Sequence, residues 1–284
     1  MREQIKKIRI PAILLITLLF ASTCIIVFST PEVYGAELRI VESFDFPDED
    51  YIGYVGRSQG LAWDGSNLWH CTGDSGFKAL GNRIFKLDSN NGDIIDDFLA
   101  PGKEASGLTW DGEYLWLAAS EGDTIYKIDR YTEHYVDSFD SPGNTPKGLA
   151  WDGEYLWNAD IDDNEIYKLN PTTGAIVESF NSPGDSPTGL TRGGEYLWCA
   201  DSGDAKIYKL NASTGEIVDT FDSPGTAPAG LTWAGRYLWN ADADESKIYK
   251  LQLTSGGLFC LGTLAISIVI PVTLIAVWVL KRQE

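Results

Sequence analysis

Between residues 36 and 256 apolar residues come in short bursts, each closed by Gly, Asp, Asn or Pro, and the bursts repeat. The segment Gly148-Leu149-Ala150-Trp151-Asp152-Gly153-Glu154-Tyr155-Leu156-Trp157 returns as GLAWDGSNLW from Gly60, GLTWDGEYLW from Gly107, GLTRGGEYLW from Gly189 and GLTWAGRYLW from Gly230. The closing tryptophans, Trp69, Trp116, Trp157, Trp198 and Trp239, are spaced 47, 41, 41 and 41 residues apart. The longer first interval holds an insertion around Gly76–Asn82.

Each unit predicts four short strands. The first is Gly-Leu-Ala/Thr-Trp, and an Asp-Gly pair then makes a tight hairpin that needs positive φ. The second is Tyr-Leu-Trp-x-Ala, ended by a loop rich in Asp and Gly. The third, Ile166-Tyr167-Lys168-Leu169 and its counterparts, alternates inward apolar with outward Lys. After Asn170-Pro171-Thr172-Thr173-Gly174 the fourth runs from Ile176 to Phe180, and Ser182-Pro183-Gly184 leads to the next unit. Four strands in about 41 residues is the pattern of a propeller blade, and blades must stack to bury their faces. The fifth unit lacks a fourth strand, because Leu251 runs into Thr254-Ser255-Gly256. Arg39-Ile40-Val41-Glu42-Ser43-Phe44 has the missing strand's pattern, so it is expected to pair with the last blade and close the ring. The expected fold is all-β: a five-bladed β-propeller over 36–256, its N-terminal strand completing the last blade.

Both ends are apolar. Residues 1–35 carry Arg2, Lys6, Lys7 and Arg9 before a run from Ile10 to Phe28, and Val33-Tyr34-Gly35-Ala36 fits cleavage after Gly35. This reads as a secretory signal peptide or an uncleaved N-terminal anchor. Within 257–284 the run Leu258–Leu280 is long enough for a transmembrane helix, and Lys281-Arg282 follows as a stop. Positive residues favour the cytoplasmic side, so the expectation is a single-pass membrane protein with its C-terminus cytoplasmic and its propeller outside.

Residues 36–256 hold 38 acidic and 16 basic side chains, a net charge near −22. Nucleic acid, which is bound through basic contacts to phosphate, is excluded as a partner. The remaining partners are an extracellular protein, peptide or glycan. The acidic residues gather on one face, in the strand-two-to-three loops at Asp160, Asp201 and Asp242, which with Arg192, standing where the other units have Trp, form the candidate binding set. Calcium is the ligand such carboxylates would select, and Asp160-x-Asp162-x-Asn164 has the alternation of a calcium loop but neither its glycine nor its distant Glu. The competing reading is that Asp and Asn cap tight turns. No cofactor is otherwise implied. Asn211-Ala212-Ser213 is an N-glycosylation acceptor. Cys71 and Cys199 lie in different repeats and are expected to be free, buried thiols.

Only two histidines occur, His70 and His134, and no zinc spacing or nucleophile elbow accompanies them. The first unit nevertheless resembles the plant-type glutamine cyclotransferases. The likeness rests on Gln59-Gly60-Leu61, Trp63-Asp64-Gly65, Leu68-Trp69, Thr72-Gly73, Ile84-Phe85-Lys86-Leu87-Asp88 and Gly92. That resemblance implies a five-bladed propeller and cyclisation of N-terminal glutamine by a glutamate in Leu-Tyr-Glu-Ser-Thr-Gly. The matching stretch here is Leu68-Trp69-His70-Cys71-Thr72-Gly73, with His70 in place of the acid. Gln59 and His70 are therefore the catalytic candidates. The units also resemble YVTN and NHL propellers, which mostly bind. Two readings result: a non-enzymatic surface propeller binding through its acidic loop face, or a tethered glutaminyl cyclase.

Overall fold

The computed structural model describes residues 32–33, 35–46, 57–73, 82–255 and 258–259. Strand β1 is Glu32–Val33 and β2 is Glu37–Asp45. Blade 1 contains β3 (Arg57–Trp63), β4 (Leu68–Gly73), β5 (Arg83–Leu87) and β6 (Ile94–Leu99). Blade 2 contains β7 (Lys103–Trp110), β8 (Leu115–Glu121), β9 (Thr124–Asp129) and β10 (His134–Asp140). Blade 3 contains β11 (Pro146–Trp151), β12 (Leu156–Asp160), β13 (Glu165–Leu169) and β14 (Ile176–Asn181). Blade 4 contains β15 (Pro187–Gly193), β16 (Tyr196–Asp201), β17 (Lys206–Asn211) and β18 (Ile217–Asp222). Blade 5 contains β19 (Pro228–Ala234), β20 (Tyr237–Asp242) and β21 (Lys247–Thr254), and β22 is Leu258–Phe259.

Five four-stranded antiparallel sheets result, and the fifth has the order β19-β20-β21-β2. The N-terminal strand thus completes the last blade, in register from Glu37 opposite Thr254 to Asp45 opposite Lys247. A shared packing motif shows that β2 is a true fourth strand. In each blade the strand-two tryptophan packs on the strand-four phenylalanine: Trp69 on Phe98, Trp116 on Phe139, Trp157 on Phe180 and Trp198 on Phe221. In blade 5 the partner of Trp239 is Phe44 of β2, with ring centroids 5.9 Å apart.

The core lies between blades rather than within them. Trp157 and Ile166 of blade 3 pack with Leu190, Leu197 and Leu210 of blade 4, and the other clusters likewise join neighbours. Ala36–Ser255 form one compact unit.

The innermost strands β3, β7, β11, β15 and β19 contact one another around the centre. The first glycine of each repeat is what lets them meet. A Cβ on Gly60 would stand 2.4 Å from Leu108 N, on Gly107 1.8 Å from Lys147 O, and on Gly148 2.5 Å from Leu190 N. The same holds for Gly189 (2.3 Å from Ala229 O) and Gly230 (2.3 Å from Gln59 O), which returns the ring to blade 1. Each inner strand also changes register at this point, the mark of a β-bulge.

The hairpins opposite the acidic loops divide into two kinds. In blades 1 to 3 the strand-two indole N–H donates to the Asp of the Asp-Gly turn, Trp69 to Asp64, Trp116 to Asp111 and Trp157 to Asp152, each at 2.8 Å. Units 4 and 5 have Gly193 and Ala234 at that position, and the buried Nε1 of Trp198 and Trp239 finds no hydrogen-bond partner.

Of the expected membrane span only the first two residues, Leu258 and Phe259, are described. Leu258–Phe259 form β22, paired antiparallel with β1. The rest of the predicted span, the signal peptide's apolar run and most of the blade-1 insertion lie outside the described residues. Among the described residues no helix is long and apolar enough to cross a membrane.

Candidate functional site

The carboxylates of the loop face fall into a repeated clamp. Asp160, Asp201 and Asp242 end the second strands of blades 3, 4 and 5 and are buried. Asp160 Oδ1 accepts the N–H groups of Asp162 and Asp163, both at 3.1 Å, and its Oδ2 accepts that of Thr145 at 2.9 Å. Asp201 accepts from Gly203, Asp204 and Ser186, and Asp242 from Asp244, Glu245 and Ala227. In each case the third donor sits in the connector entering the blade, so one carboxylate ties its own loop to the chain 15 residues earlier. A carboxylate that accepts several N–H groups is held in place and turned toward the backbone. Burial pushes the Asp160 carboxyl above the ordinary aspartate range, against the N–H groups that favour its charged form. A second row is bound by tyrosines of strand three: Tyr167 donates to Asp163 at 2.8 Å, and Tyr208 and Tyr249 donate to Asp204 and Glu245.

The calcium-loop candidates take part in the same clamp. Asp162 accepts the Thr145 hydroxyl at 2.7 Å, and Asn164 adopts φ 54° with its amide donating to Ile161 O and Asp185 O. No group of three or more His, Cys, Asp or Glu is placed to hold a metal ion among the described residues. Arg192 lies elsewhere. It pairs with Leu197 at the hairpin end of β15, whereas Pro187 pairs with Asp201 at the loop end, so the four candidate binding residues are not one site. One guanidinium nitrogen of Arg192, Nη1, is buried without a hydrogen-bond partner. Asn211 caps its own turn, accepting the N–H of Ser213 at 2.9 Å, and that turn is at the surface.

Around the centre, the residue before each ring glycine differs from blade to blade: Gln59, Ser106, Lys147, Thr188 and Ala229. Ser106 and Thr188 link neighbouring inner strands by donating to Pro146 O at 2.7 Å and Pro228 O at 2.6 Å. Gln59 is half-buried there. Lys147, which sequence reasoning passed over, sends its Nζ to Ser120 Oγ at 3.2 Å. Burial pulls its ammonium below the ordinary lysine range, with Glu104 the largest opposing influence. The signal that marks it is positional: one cation in a column otherwise filled by uncharged residues.

His70 is fully buried in β4, its ring edge-on to Phe46 with centroids 4.4 Å apart. Its Nδ1 lies 3.0 Å from Gly60 O, an oxygen that only accepts, so Nδ1 carries the proton. Asn158 and Asn240 occupy the same place in blades 3 and 5 and donate to Gly148 O and Gly230 O at 3.3 and 3.2 Å. His70 therefore tethers a ring glycine as those asparagines do. Burial, opposed by the Gly60 carbonyl, lowers its pKa from 6.5 to about 4. The adjacent thiol is inert as well: burial pushes Cys71 up to about 12, and Cys71 and Cys199 are free and buried, as expected.

A pH prediction follows. Because the folded pKa lies below the unfolded one, the unfolded chain takes up the proton first as pH falls, and stability drops between pH 6.5 and 4. His70→Asn keeps the donor and removes the titration. Wild type is expected to lose on the order of 3 kcal/mol relative to His70→Asn across that window. Thermal melts of both proteins at pH 7 and pH 4 measure it, and parallel curves would show that His70 does not titrate as a buried neutral group.

Fold and site together define a five-bladed β-propeller with a clamped acidic face. The structure is similar to that of the glutaminyl cyclase from Myxococcus xanthus, with a TM-score of 0.66 at 13% identity, covering 80% of this chain and 100% of that one. This likeness shows the fold, including the blade number that the cyclotransferase resemblance implied. Virginiamycin B lyase from Staphylococcus aureus gives a TM-score of 0.45 at 24% identity, over 69% of this chain and 66% of that one. No family model matches the chain, and no curated protein is significantly similar to it.

Proposed function

We propose that this protein is a non-catalytic binding module, tethered to a membrane and displayed outside it, that engages a protein, peptide or glycan through its acidic loop face. The observation that carries the reading is the state of His70. The residue standing where the cyclotransferase resemblance puts the acid is fully buried, uncharged at neutral pH and engaged with the Gly60 carbonyl. A general acid or base must reach the proton it transfers. The clamps of blades 3 to 5 support the same reading, because they hold the loop face rigid, and a pre-organised surface loses less entropy on binding. The tether rests on Leu258–Leu280 and its basic stop. The chain ends of the propeller, paired at Glu37 and Thr254, lie at the end of blade 5 away from the acidic loops.

The likeness to a glutaminyl cyclase favours a second reading, in which the propeller cyclises N-terminal glutamine. Incubating the purified protein with a glutaminyl peptide and measuring pyroglutamyl product by mass spectrometry separates the two. The expected result is no product above the blank. Turnover abolished by His70→Ala but not by a loop-face variant such as Asp244→Asn would establish the enzyme. Protease treatment of intact cells tests the display: the propeller is expected to be degraded, and full protection would overturn it.

A further inference from the structure

The hairpin face departs from the repeat between blades 1 and 2. In blades 1, 3 and 4 the turn after strand three ends on a glycine in the left-handed region: Gly92 (φ 79°), Gly174 (φ 69°) and Gly215 (φ 71°). Each seats on the strand-four phenylalanine of the preceding blade. A Cβ on Gly92 would stand 2.4 Å from Phe44, on Gly174 2.6 Å from Phe139 and on Gly215 2.6 Å from Phe180. Blade 2 has Glu133 at this position, with φ 61°. Its Cβ prevents the same close seating on Phe98, and its backbone bears strain that a glycine would relieve. Beside it lies a groove of about 400 Å³ between the two blades.

The same turn carries Arg130 and Tyr131 where blade 3 has Pro171 and Thr172. Arg130 crosses to blade 1 and donates to the buried Asp64 at 2.8 Å. Its guanidinium lies 4.6 Å from the ring of Trp110 and 4.8 Å from that of Tyr131, and it donates to the Tyr131 hydroxyl at 2.7 Å. Asp129 fixes the turn by accepting the N–H groups of Tyr131 and Thr132. Tyr131 is therefore 79% exposed and yet held in place. An aromatic ring ordered before binding is an anchor with little left to lose.

We infer that this groove is a binding site for an uncharged sugar chain, separate from the acidic loop face. The Tyr131 ring offers an apolar plate for the C–H face of a sugar. Asn67, Lys86, Asp96 and Glu133, which also line the groove, mix donors and acceptors for hydroxyl groups. Arg130 is paired with Asp64, Lys86 lies over the Trp69 ring at 5.6 Å, and three carboxylates against two cations leave the lining with a net charge of only −1, so the groove has no strong field that would select an ion.

The test uses the purified full-length protein, kept free of glycoside detergents. Maltotetraose, cellotetraose, mannotetraose and chitotetraose are titrated with saturation-transfer NMR as the readout, and tetralysine serves as the peptide probe. At least one tetrasaccharide is expected to bind saturably. Tyr131→Ala is expected to weaken it ten-fold or more. Glu133→Gly, which lets the turn close, is expected to weaken it similarly while raising the melting temperature, an opposite pair of effects that general loss of structure cannot produce. The inference fails if no tetrasaccharide binds, if tetralysine binds and the sugars do not, or if both variants retain wild-type affinity.

Discussion

Deletion of residues 37–45 is expected to abolish the cooperative unfolding transition and leave an aggregating protein. Strand β2 pairs with β21 along its whole length, and its Phe44 supplies the aromatic partner of Trp239. The same ring lies under Gly92 of blade 1, so the strand holds blade 5 to its neighbour as well as completing it. Lys250 pairs with Glu42 at 3.2 Å, and Lys247 pairs with Asp45. Each ladder hydrogen bond contributes ~1 kcal/mol net, and burial of a phenylalanine adds ~2 kcal/mol. The sum is comparable to the whole stability of a domain, about 5–15 kcal/mol. The bare edge of β21 would also be free to pair with other chains. A peptide of the deleted sequence, added in trans, is expected to restore a transition by strand addition. Calorimetry decides the matter, and a deletion variant melting within a few degrees of wild type would mean that the ring does not depend on β2.

Gly107→Ala should be the most damaging of the single methyl additions in the ring. The added Cβ would lie 1.8 Å from Lys147 O and 2.8 Å from Lys147 C, both backbone atoms of the neighbouring inner strand. No rotamer change relieves such a contact, so blades 2 and 3 must part. Overpacked cores commonly lose ~1–3 kcal/mol, and the rigid obstacle puts this case above that range. At roughly 2–4 °C per kcal/mol for a domain of this size, the melting temperature should fall by about 10 °C or more. Gly153→Ala is the control. It places alanine at positive φ, +101°, which Gly107 does not have, and meets nothing within 4 Å. It should cost only the backbone strain, ~1–2 kcal/mol. Equal losses in the two variants would show that the contact between blades at Gly107 costs no more than backbone strain at an open turn.

Much of this architecture is legible in the chain because a propeller is a local pattern repeated. The interval between Trp116, Trp157, Trp198 and Trp239 sets the blade, and the Asp-Gly and Asn-Pro-Thr-Thr-Gly turns set the strand ends. Arg39 to Phe44 reads as a fourth strand without a third before it, which is enough to expect the ring's closure. Strand patterns and turns are encoded by neighbours in sequence, and a shared period passes them to every copy.

What Asp160, Asp201, Asp242 and His70 do was decided only in three dimensions. As letters, the aspartates are an acidic surface, but the N–H groups of Thr145, Ser186 and Ala227 arrive from the preceding connector and turn them inward. His70 is a catalytic candidate until its blade places it level with Asn158 and Asn240, facing the carbonyl of a ring glycine. Arg130 and Asp64 are 66 residues apart and become partners because blade 2 stacks on blade 1. The repeat alone determined which residues form strands, turns and closure, since those depend on spacing along the chain. Stacking determined which polar groups remain available, since that depends on which distant donors and acceptors the neighbouring strand brings within reach.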